Sequence, residues 1–217
     1  MIYSLIKFSK LAHLEKMLYE GELYCNTVSS LIKNESETWG DKFEGITSLQ
    51  NISDKKISFY NKELQEYVEL EGINKALHFK RFREISNNIL CLYTIDKENT
   101  KKGSLIISDR MKDFGNYALL ITDPAKFYRK IMEACQEINL PFFTSKVHYY
   151  KLSEDQSSLT LFHKMEKYSC ENEFRFIFLT DGIDIVKIKI GSMVDYAKII
   201  PTKNLINKLN PPKISKI

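Results

Sequence analysis

The chain has 217 residues, of which 43% are hydrophobic and 28% are charged, as is typical of a globular protein with one buried core. Its net charge of +4 is too small to indicate a nucleic-acid-binding protein by itself. The 4 cysteines are widely spaced and form no C-x-x-C pair, which argues against structural zinc and against a disulfide framework. Because no segment has the pattern of a signal peptide or a membrane span, we expect a cytoplasmic protein with free thiols and no membrane contact.

The periodicity of the hydrophobic residues predicts strands that alternate with helices. A strand at 2–8 leads into an amphipathic helix at 10–20, which ends at Gly21, where a left-handed cap favours glycine. Few strands are apolar on both faces, which favours an α+β fold with a mixed or antiparallel sheet and flanking helices over a doubly wound parallel sheet. The further expected strands are 22–28, 88–95, 117–122, 146–152, 174–178, 184–191 and 197–202, and the further expected helices are 123–138 and 157–170.

The composition indicates one domain with an insertion and a tail. We expect a single α+β domain over 1–205, in which 51–87 forms a mainly helical insertion rich in Lys, Glu, Tyr and Leu, and a lysine-rich C-terminal tail at 206–217. Within the insertion, 78–85 interleaves cations with phenylalanines. Such a pattern is found both in nucleic-acid-binding faces and in solvated amphipathic helices.

The segment KYSCENEFRFIF, 167–178, places paired carboxylates at the start of a predicted strand. Side chains two residues apart in a strand point the same way, so Glu171 and Glu173 are expected to share one cleft, and burial of the pair would raise the pKa of at least one of them. Paired carboxylates can stabilise a developing cation, or hold a sugar hydroxyl while one of them deprotonates an acceptor. The alternative is that E-x-E-x-R, which ends at Arg175, is only a row of ion pairs across strands.

Two other segments offer candidate cleft residues. In GDKFEG, 40–45, Asp41 and Glu44 flank Phe43, so that the loop either presents carboxylates and an aromatic plate to the ring of a ligand, or is a tight turn that Phe43 anchors. Arg110 either lines the cleft or belongs to a segment that only sets the entry to the next strand.

The order of these features resembles the ADP-ribosyltransferase fold of bacterial toxins and of arginine-type mono-ADP-ribosyltransferases. The resemblance is carried by IYSLIK, by LEKMLYEGELYCNTVSS and by the distant E-x-E. It implies a split sheet and NAD as the substrate, without a metal. Glu173 would hold the 2′-hydroxyl of the nicotinamide ribose, and Glu171 would polarise the acceptor, which would be a protein or a nucleic acid. It also implies that Glu173→Gln abolishes NAD turnover with little change in melting temperature. The implied NAD-binding residues are Tyr3, Lys7, Thr27, Ser29, Phe43, Lys164, Tyr168 and Arg175, and the implied residues for the rest of the substrate are Asp41, Glu44 and Arg110.

A second resemblance covers most of the chain. The motifs GELY (21–24), GDKFEG, CLYT (91–94), and Lys164 with Tyr168 before ENEFR are similar to those of a bacterial family of unknown function. That family has an N-terminal G-x-L-[YF] strand, an N-D-P-F-E-like loop and a C-terminal E-x-E-x-R motif. The two resemblances together imply a toxin or phage-defence effector, which would have an inhibitory partner protein.

Two other functions fit the same residues. One is a non-catalytic module that binds a nucleotide or a partner in the same cleft. The other is a metal-dependent nuclease in which Asp41, Glu44, Glu171 and Glu173 surround magnesium. The lack of a lysine set close to these carboxylates in the sequence weighs against the nuclease.

Overall fold

The computed structural model of the chain describes residues 2–33, 41, 43–52, 56, 58–69, 77–81, 87–97, 100, 107–181 and 184–206. They form an α+β structure with a mostly antiparallel sheet, as the sequence predicts. The strands are β1 (Ile2–Ser9), β2 (Glu22–Thr27), β3 (Ile46–Asn51), β4 (Ser58–Asn61), β5 (Glu66–Glu69), β6 (Leu77–Arg81), β7 (Asn87–Asp96), β8 (Tyr117–Ile121), β9 (Phe142–Lys146), β10 (His148–Tyr150), β11 (His163–Met165), β12 (Glu173–Leu179), β13 (Val186–Lys189) and β14 (Ala197–Pro201). The helices are α1 (Leu11–Glu15, continued by a π-helical turn at Lys16–Glu20), α2 (Val28–Lys33) and α3 (Pro124–Glu137), with 3-10 helices at Asp109–Phe114, Glu166–Glu171 and Thr202–Asn204.

The main sheet has the order β13-β2-β7-β1-β8-β14, and β12 and then β9 extend it from β7. Strand β7 is central and changes neighbours along its length. One of its edges pairs with β12 over 87–93, whereas the opposite edge pairs with β2 at 88–89 and with β1 at 93–96. Because β1 and β2 diverge between these two pairings, the sheet is split beside 90–92.

Helices α1 and α3 cover the main core. In α3, Phe127, Ile131 and Cys135 follow one another at every fourth position and are buried, and the ring of Phe127 packs edge-on against Phe176 at 5.8 Å. The Asp123 side chain accepts a hydrogen bond from the backbone N–H of Lys126 at 2.9 Å and thereby caps this helix.

Gly21 ends the first helix in the conformation that the sequence predicts. Its φ is 64°, in the left-handed region that glycine adopts without strain. A Cβ atom at this position would lie 2.0 Å from the carbonyl oxygen of Gly191, on the segment that follows β13. The position therefore requires glycine both for its backbone conformation and for the close approach of a second chain segment.

The expectation of a mainly helical insertion at 51–87 is wrong for its described residues, which form β-strands. Strands β4 and β5 pair with each other, and β6 pairs with β3. The side-chain oxygen of Asn61 accepts hydrogen bonds from the backbone N–H groups of Glu63 and Leu64, at 2.9 and 3.3 Å, and thereby closes the tight turn. Only 78–81 of the cation–phenylalanine segment is described, and it belongs to β6.

The helix expected at 157–170 is also absent from the described structure of that segment. Strand β11 pairs in parallel with β10, and a 3-10 helix follows it. This pairing buries Tyr150 and Met165 in one hydrophobic cluster with Leu159, so tertiary packing overrides the local helical pattern. At the C-terminus, Ile206 is buried in the core, and the remainder of the expected tail, 207–217, lies outside the described residues.

Candidate functional site

A cleft with a volume of about 340 Å³ opens where the sheet is split. Its floor is the stretch of β7 between the two diverging strands. The carbonyl of Cys91 lies in this stretch and accepts a hydrogen bond from Lys7 Nζ at 3.0 Å. The cleft is lined by Lys7 and Lys10, by His13, Tyr24 and Asn26, by Leu90, Cys91 and Leu92, and by Asp41, Glu44, Lys164, Glu171, Glu173 and Arg175.

The charged end of the cleft is a continuous network of ion pairs. The Lys164 ammonium donates to Glu171 Oε2 and to Glu173 Oε1, each at 2.5 Å. Arg175 Nε donates to Glu173 Oε2 at 2.7 Å, and the guanidinium donates twice to Glu44, at 2.7 and 3.0 Å. The five residues of this network are at most 5% exposed. We call Glu44, Lys164, Glu171, Glu173 and Arg175 the buried charge network.

The chain brings the two glutamates together by a turn and not by a common strand. Glu171 is the last residue of the 3-10 helix, and Asn172 has a φ of 37°, which reverses the chain before β12 begins. The Asn172 side chain donates to the carbonyl of Thr94 at 2.6 Å and holds this turn against β7. The expectation that both glutamates extend from one strand is therefore wrong, although both reach Lys164. Glu173 and Arg175 do share a face of β12, so the expected ion-pair row is present as well.

The parallel pairing of β10 with β11 positions Lys164. It lies opposite Tyr149, whose hydroxyl accepts a hydrogen bond from the backbone N–H of Glu173 at 2.9 Å. The Lys164 ammonium also lies 4.7 Å from the centre of the Tyr168 ring, a cation–π contact that helps to hold a buried cation. No such contact between 149, 164 and 173 was visible in the sequence, because it depends on the pairing of β10 with β11, which no local pattern indicates.

The two glutamates have opposite pKa shifts. Burial by itself would raise the pKa of Glu173, but the Arg175 guanidinium and the Lys164 ammonium hold it well below its ordinary value. Burial raises the pKa of Glu171 to about 8, and the adjacent Glu173 carboxylate adds to the rise against the attraction of Lys164. These directions favour the protonated form of Glu171 and the ionised form of Glu173 at neutral pH.

This proton makes the buried charge network neutral. Lys164 and Arg175 supply two positive charges, which the carboxylates of Glu44 and Glu173 balance. An ionised Glu171 would add an unbalanced negative charge in a region with little access to solvent, which is costly. Of these carboxylates, Glu171 has the weakest contact with a second cation. Besides Lys164, its only ion-pair contact among the described residues is with Arg110, at 3.8 Å.

Some of the site residues expected from the sequence line the cleft, and others lie outside it. Of the expected NAD-binding residues, Lys7, Lys164 and Arg175 line the cleft, and so do Asp41 and Glu44 from the expected substrate-binding set. Tyr168 and Arg110 pack behind the network, where the Arg110 guanidinium lies 5.0 Å from the Tyr168 ring.

Besides Tyr168, four of the expected NAD-binding residues are not among the described residues that line the cleft. Tyr3 is 40% exposed on β1, and Ser29 is exposed on α2. Thr27 Oγ1 accepts a hydrogen bond from the backbone N–H of Ser30 at 3.1 Å, which makes it a cap of α2. Phe43 is buried and packs edge-on against Phe79 at 5.5 Å, so it is the anchor of a turn and not an aromatic plate in the cleft.

Of the cysteines, Cys25 and Cys135 are buried and Cys91 and Cys170 are partly buried, and all are free thiols. No group of three or more His, Cys, Asp and Glu side chains in the described part of the chain is arranged to hold a metal ion. The described helices include none that is long and apolar enough to cross a membrane.

Fold and site together define an α+β protein with a split antiparallel sheet and a buried charge network at one end of the split. Comparison of the chain with protein-family models, with curated proteins and with solved structures found no match. The resemblances drawn from the sequence motifs therefore remain predictions.

Proposed function

We propose that this protein is a glycosyl-transfer enzyme that cleaves the nicotinamide–ribose bond of NAD and passes ADP-ribose to a protein or a nucleic acid. The observation that supports this proposal is the pair of glutamates on Lys164, of which one is held ionised and the other protonated at the wall of a cleft. Neighbouring carboxylates whose pKa values are driven apart are typical of acid–base sites.

Glu173 is the group that stabilises the transition state in this proposal. As the bond from the ribose carbon to nicotinamide breaks, its electron pair leaves with the nicotinamide nitrogen and positive charge develops on the ribose. A carboxylate that is already oriented in a site of low polarity stabilises that charge without reorganising. Glu173 accepts a hydrogen bond from Lys164 at Oε1 and one from Arg175 at Oε2, and the protonated carboxyl group of Glu171 is a third hydrogen-bond partner. A carboxylate can accept about four hydrogen bonds, so one lone pair is left for a ribose hydroxyl.

Glu171 is the group that handles the proton of the acceptor. The acceptor forms a bond to the ribose carbon with its own electron pair, and its proton passes to the ionised form of Glu171. A base is most effective when its pKa is near the working pH, and the pKa of Glu171, at about 8, meets this condition. Lys164 contacts both carboxylates and therefore keeps the two groups in a fixed relation.

Two lysines of the cleft suit the phosphates of the substrate. Lys7 and Lys10 line it, and an ammonium offers three hydrogen-bond donors. Lys7 uses one of these donors on the Cys91 carbonyl, so others are left for a phosphate oxygen. Lysine binds phosphate as a point charge and without the bidentate geometry of arginine.

A non-catalytic nucleotide-binding module is the second candidate, because every carboxyl group of the buried charge network already accepts a hydrogen bond from Lys164 or Arg175. For a nuclease, the objection from the sequence no longer holds, since Lys164 contacts two of the carboxylates. However, Arg175 occupies both oxygens of Glu44, one of the four ligands that the nuclease requires.

The test is incubation of the protein with NAD labelled in the adenylate part and a cell lysate, with label followed separately into protein and nucleic acid. We expect label in one fraction and release of nicotinamide by the wild type, and loss of both in Glu171→Gln. Glu166→Gln is the matched control, because Glu166 lies on the same 3-10 helix but is exposed. Saturable NAD binding with no product would favour the binding module, and chelator-sensitive cleavage of DNA or RNA would favour the nuclease.

A further inference from the structure

The carboxylates of Asp41 and Glu44 have very different surroundings. Both oxygens of Glu44 are held by Arg175, so this residue belongs to the framework of the site. Asp41 uses Oδ1 to accept a hydrogen bond from the backbone N–H of Phe43 at 2.9 Å, and its carbonyl accepts one from the N–H of Glu44 at 2.8 Å. Its second carboxylate oxygen, Oδ2, has no hydrogen-bond partner among the described residues.

This oxygen is buried and belongs to a residue that lines the cleft. Asp41 is only 2% exposed. Buried polar atoms without a partner are rare in native proteins, because the hydrogen bonds they lose to water are not replaced. Burial raises the pKa of Asp41, and the neighbouring Glu44 carboxylate acts in the same direction, while the N–H of Phe43 and the ammonium groups of Lys164 and Lys167 act against them.

We infer that Asp41 is a specificity-determining residue whose Oδ2 accepts a hydrogen bond from an N–H or O–H group of the ligand in the cleft. A donor on the ligand would remove the cost of the unpartnered oxygen, whereas a ligand that presents an acceptor at this point would be rejected. The chemistry of the donor follows from the proposed function, on which this inference rests for the identity of the ligand. NAD offers two such donors, the carboxamide N–H of nicotinamide and the hydroxyls of ribose.

The variant that isolates Oδ2 is Asp41→Asn. The asparagine oxygen keeps the hydrogen bond from Phe43, and the amide N–H group replaces the acceptor in the cleft by a donor. Because the change removes a buried carboxylate and its repulsion of Glu44, we expect the melting temperature of the unliganded protein to stay the same or rise. The control is Asp123→Asn, which makes the same chemical change at an exposed helix cap.

Binding is measured by titration calorimetry with NAD and with two analogues. Nicotinic acid adenine dinucleotide has no carboxamide N–H, and a ribose-deoxy NAD lacks a hydroxyl. We expect Asp41→Asn to weaken NAD binding by about tenfold or more, in line with a hydrogen bond to a charged group. The donor is identified by the analogue that meets two conditions. The wild type binds this analogue more weakly than it binds NAD, and Asp41→Asn binds it no more weakly than the wild type does.

The outcomes separate this inference from the proposed function. If the wild type binds no NAD but Asp41→Asn is as stable as the wild type or more so, the NAD proposal fails and the assignment of Asp41 as an open acceptor is supported for another ligand. If Asp41→Asn lowers the melting temperature well below that of Asp123→Asn, Asp41 is a structural residue and the inference is overturned. Unchanged NAD affinity in the variant would overturn it as well.

Discussion

Replacing Glu171 by glutamine should change the pH dependence of stability in a direction that few surface substitutions produce. In the folded protein the pKa of Glu171 is raised from 4.5 to about 8, so between these values the folded state binds a proton that the unfolded state has released. The contribution of Glu171 to stability is therefore largest on the acid side of this window and is lost as the pH rises to about 8. At about 1.4 kcal/mol for each pH unit, the loss amounts to about 5 kcal/mol.

Glutamine resembles the protonated carboxyl group in shape and is always neutral, so Glu171→Gln lacks this titration. We expect the variant and the wild type to have similar free energies of unfolding at pH 5, and the variant to be more stable by several kcal/mol at pH 9. The measurement is urea denaturation followed by circular dichroism between pH 5 and pH 9. Other groups that titrate in this range, such as His163, whose pKa is lowered by burial and by His148, contribute equally to both proteins and cancel.

Glu166→Gln serves as the control and should follow the wild type at every pH, because Glu166 is exposed on the same 3-10 helix. Parallel curves for the wild type and Glu171→Gln would show that Glu171 is ionised throughout. In that case the neutrality of the buried charge network and the role of Glu171 as a base would both be wrong.

Three further predictions follow from the same geometry. Glu173→Gln should abolish NAD turnover. It should also lower the free energy of unfolding by about 3–5 kcal/mol in urea titrations, because it leaves Lys164 and Arg175 buried without their shared carboxylate. The sequence alone suggested an unchanged melting temperature, and that result would contradict the structure. NAD turnover by the wild type should rise with pH and level off above about 8, as Glu171 becomes ionised, and a flat pH profile would exclude it as the base. Gly21→Ala should lower the melting temperature more than Gly191→Ala does, since both have a positive φ but only the alanine at 21 would collide with backbone; equal effects would mean that the chain shifts to make room.

The main sheet was predictable because each of its elements has a strong local pattern. The hydrophobic runs of β1, β7 and β12 and the amphipathic stripe of α3 are set by residues within each segment. The insertion was not predictable in the same way. Its lysine, glutamate and leucine content suits a helix, whereas the turn that makes it a hairpin depends on the single side chain of Asn61 and on a positive φ of 52° at Gln65.

The site was predictable to the extent that its residues are close in the sequence. The spacing of Glu171, Glu173 and Arg175 showed that carboxylates and a cation would meet at the start of β12. The contacts that determine their protonation depend on tertiary structure, since Lys164, although near in the sequence, reaches them through the parallel pairing of β10 with β11, and Glu44 comes from a distant turn. Long-range pairings of this kind leave no periodic signal in a single sequence.

The structural role and the chemical role of the buried charge network depend on the same proton. Two cations and three carboxylates can be buried together at low cost only if one carboxylate is neutral. The proton resides on Glu171 because Glu173 contacts both Lys164 and Arg175, whereas the second cation near Glu171, Arg110, is 3.8 Å away and partly exposed. The packing that stabilises the network thus also selects which glutamate stays ionised beside the cleft and which one can exchange a proton with a ligand.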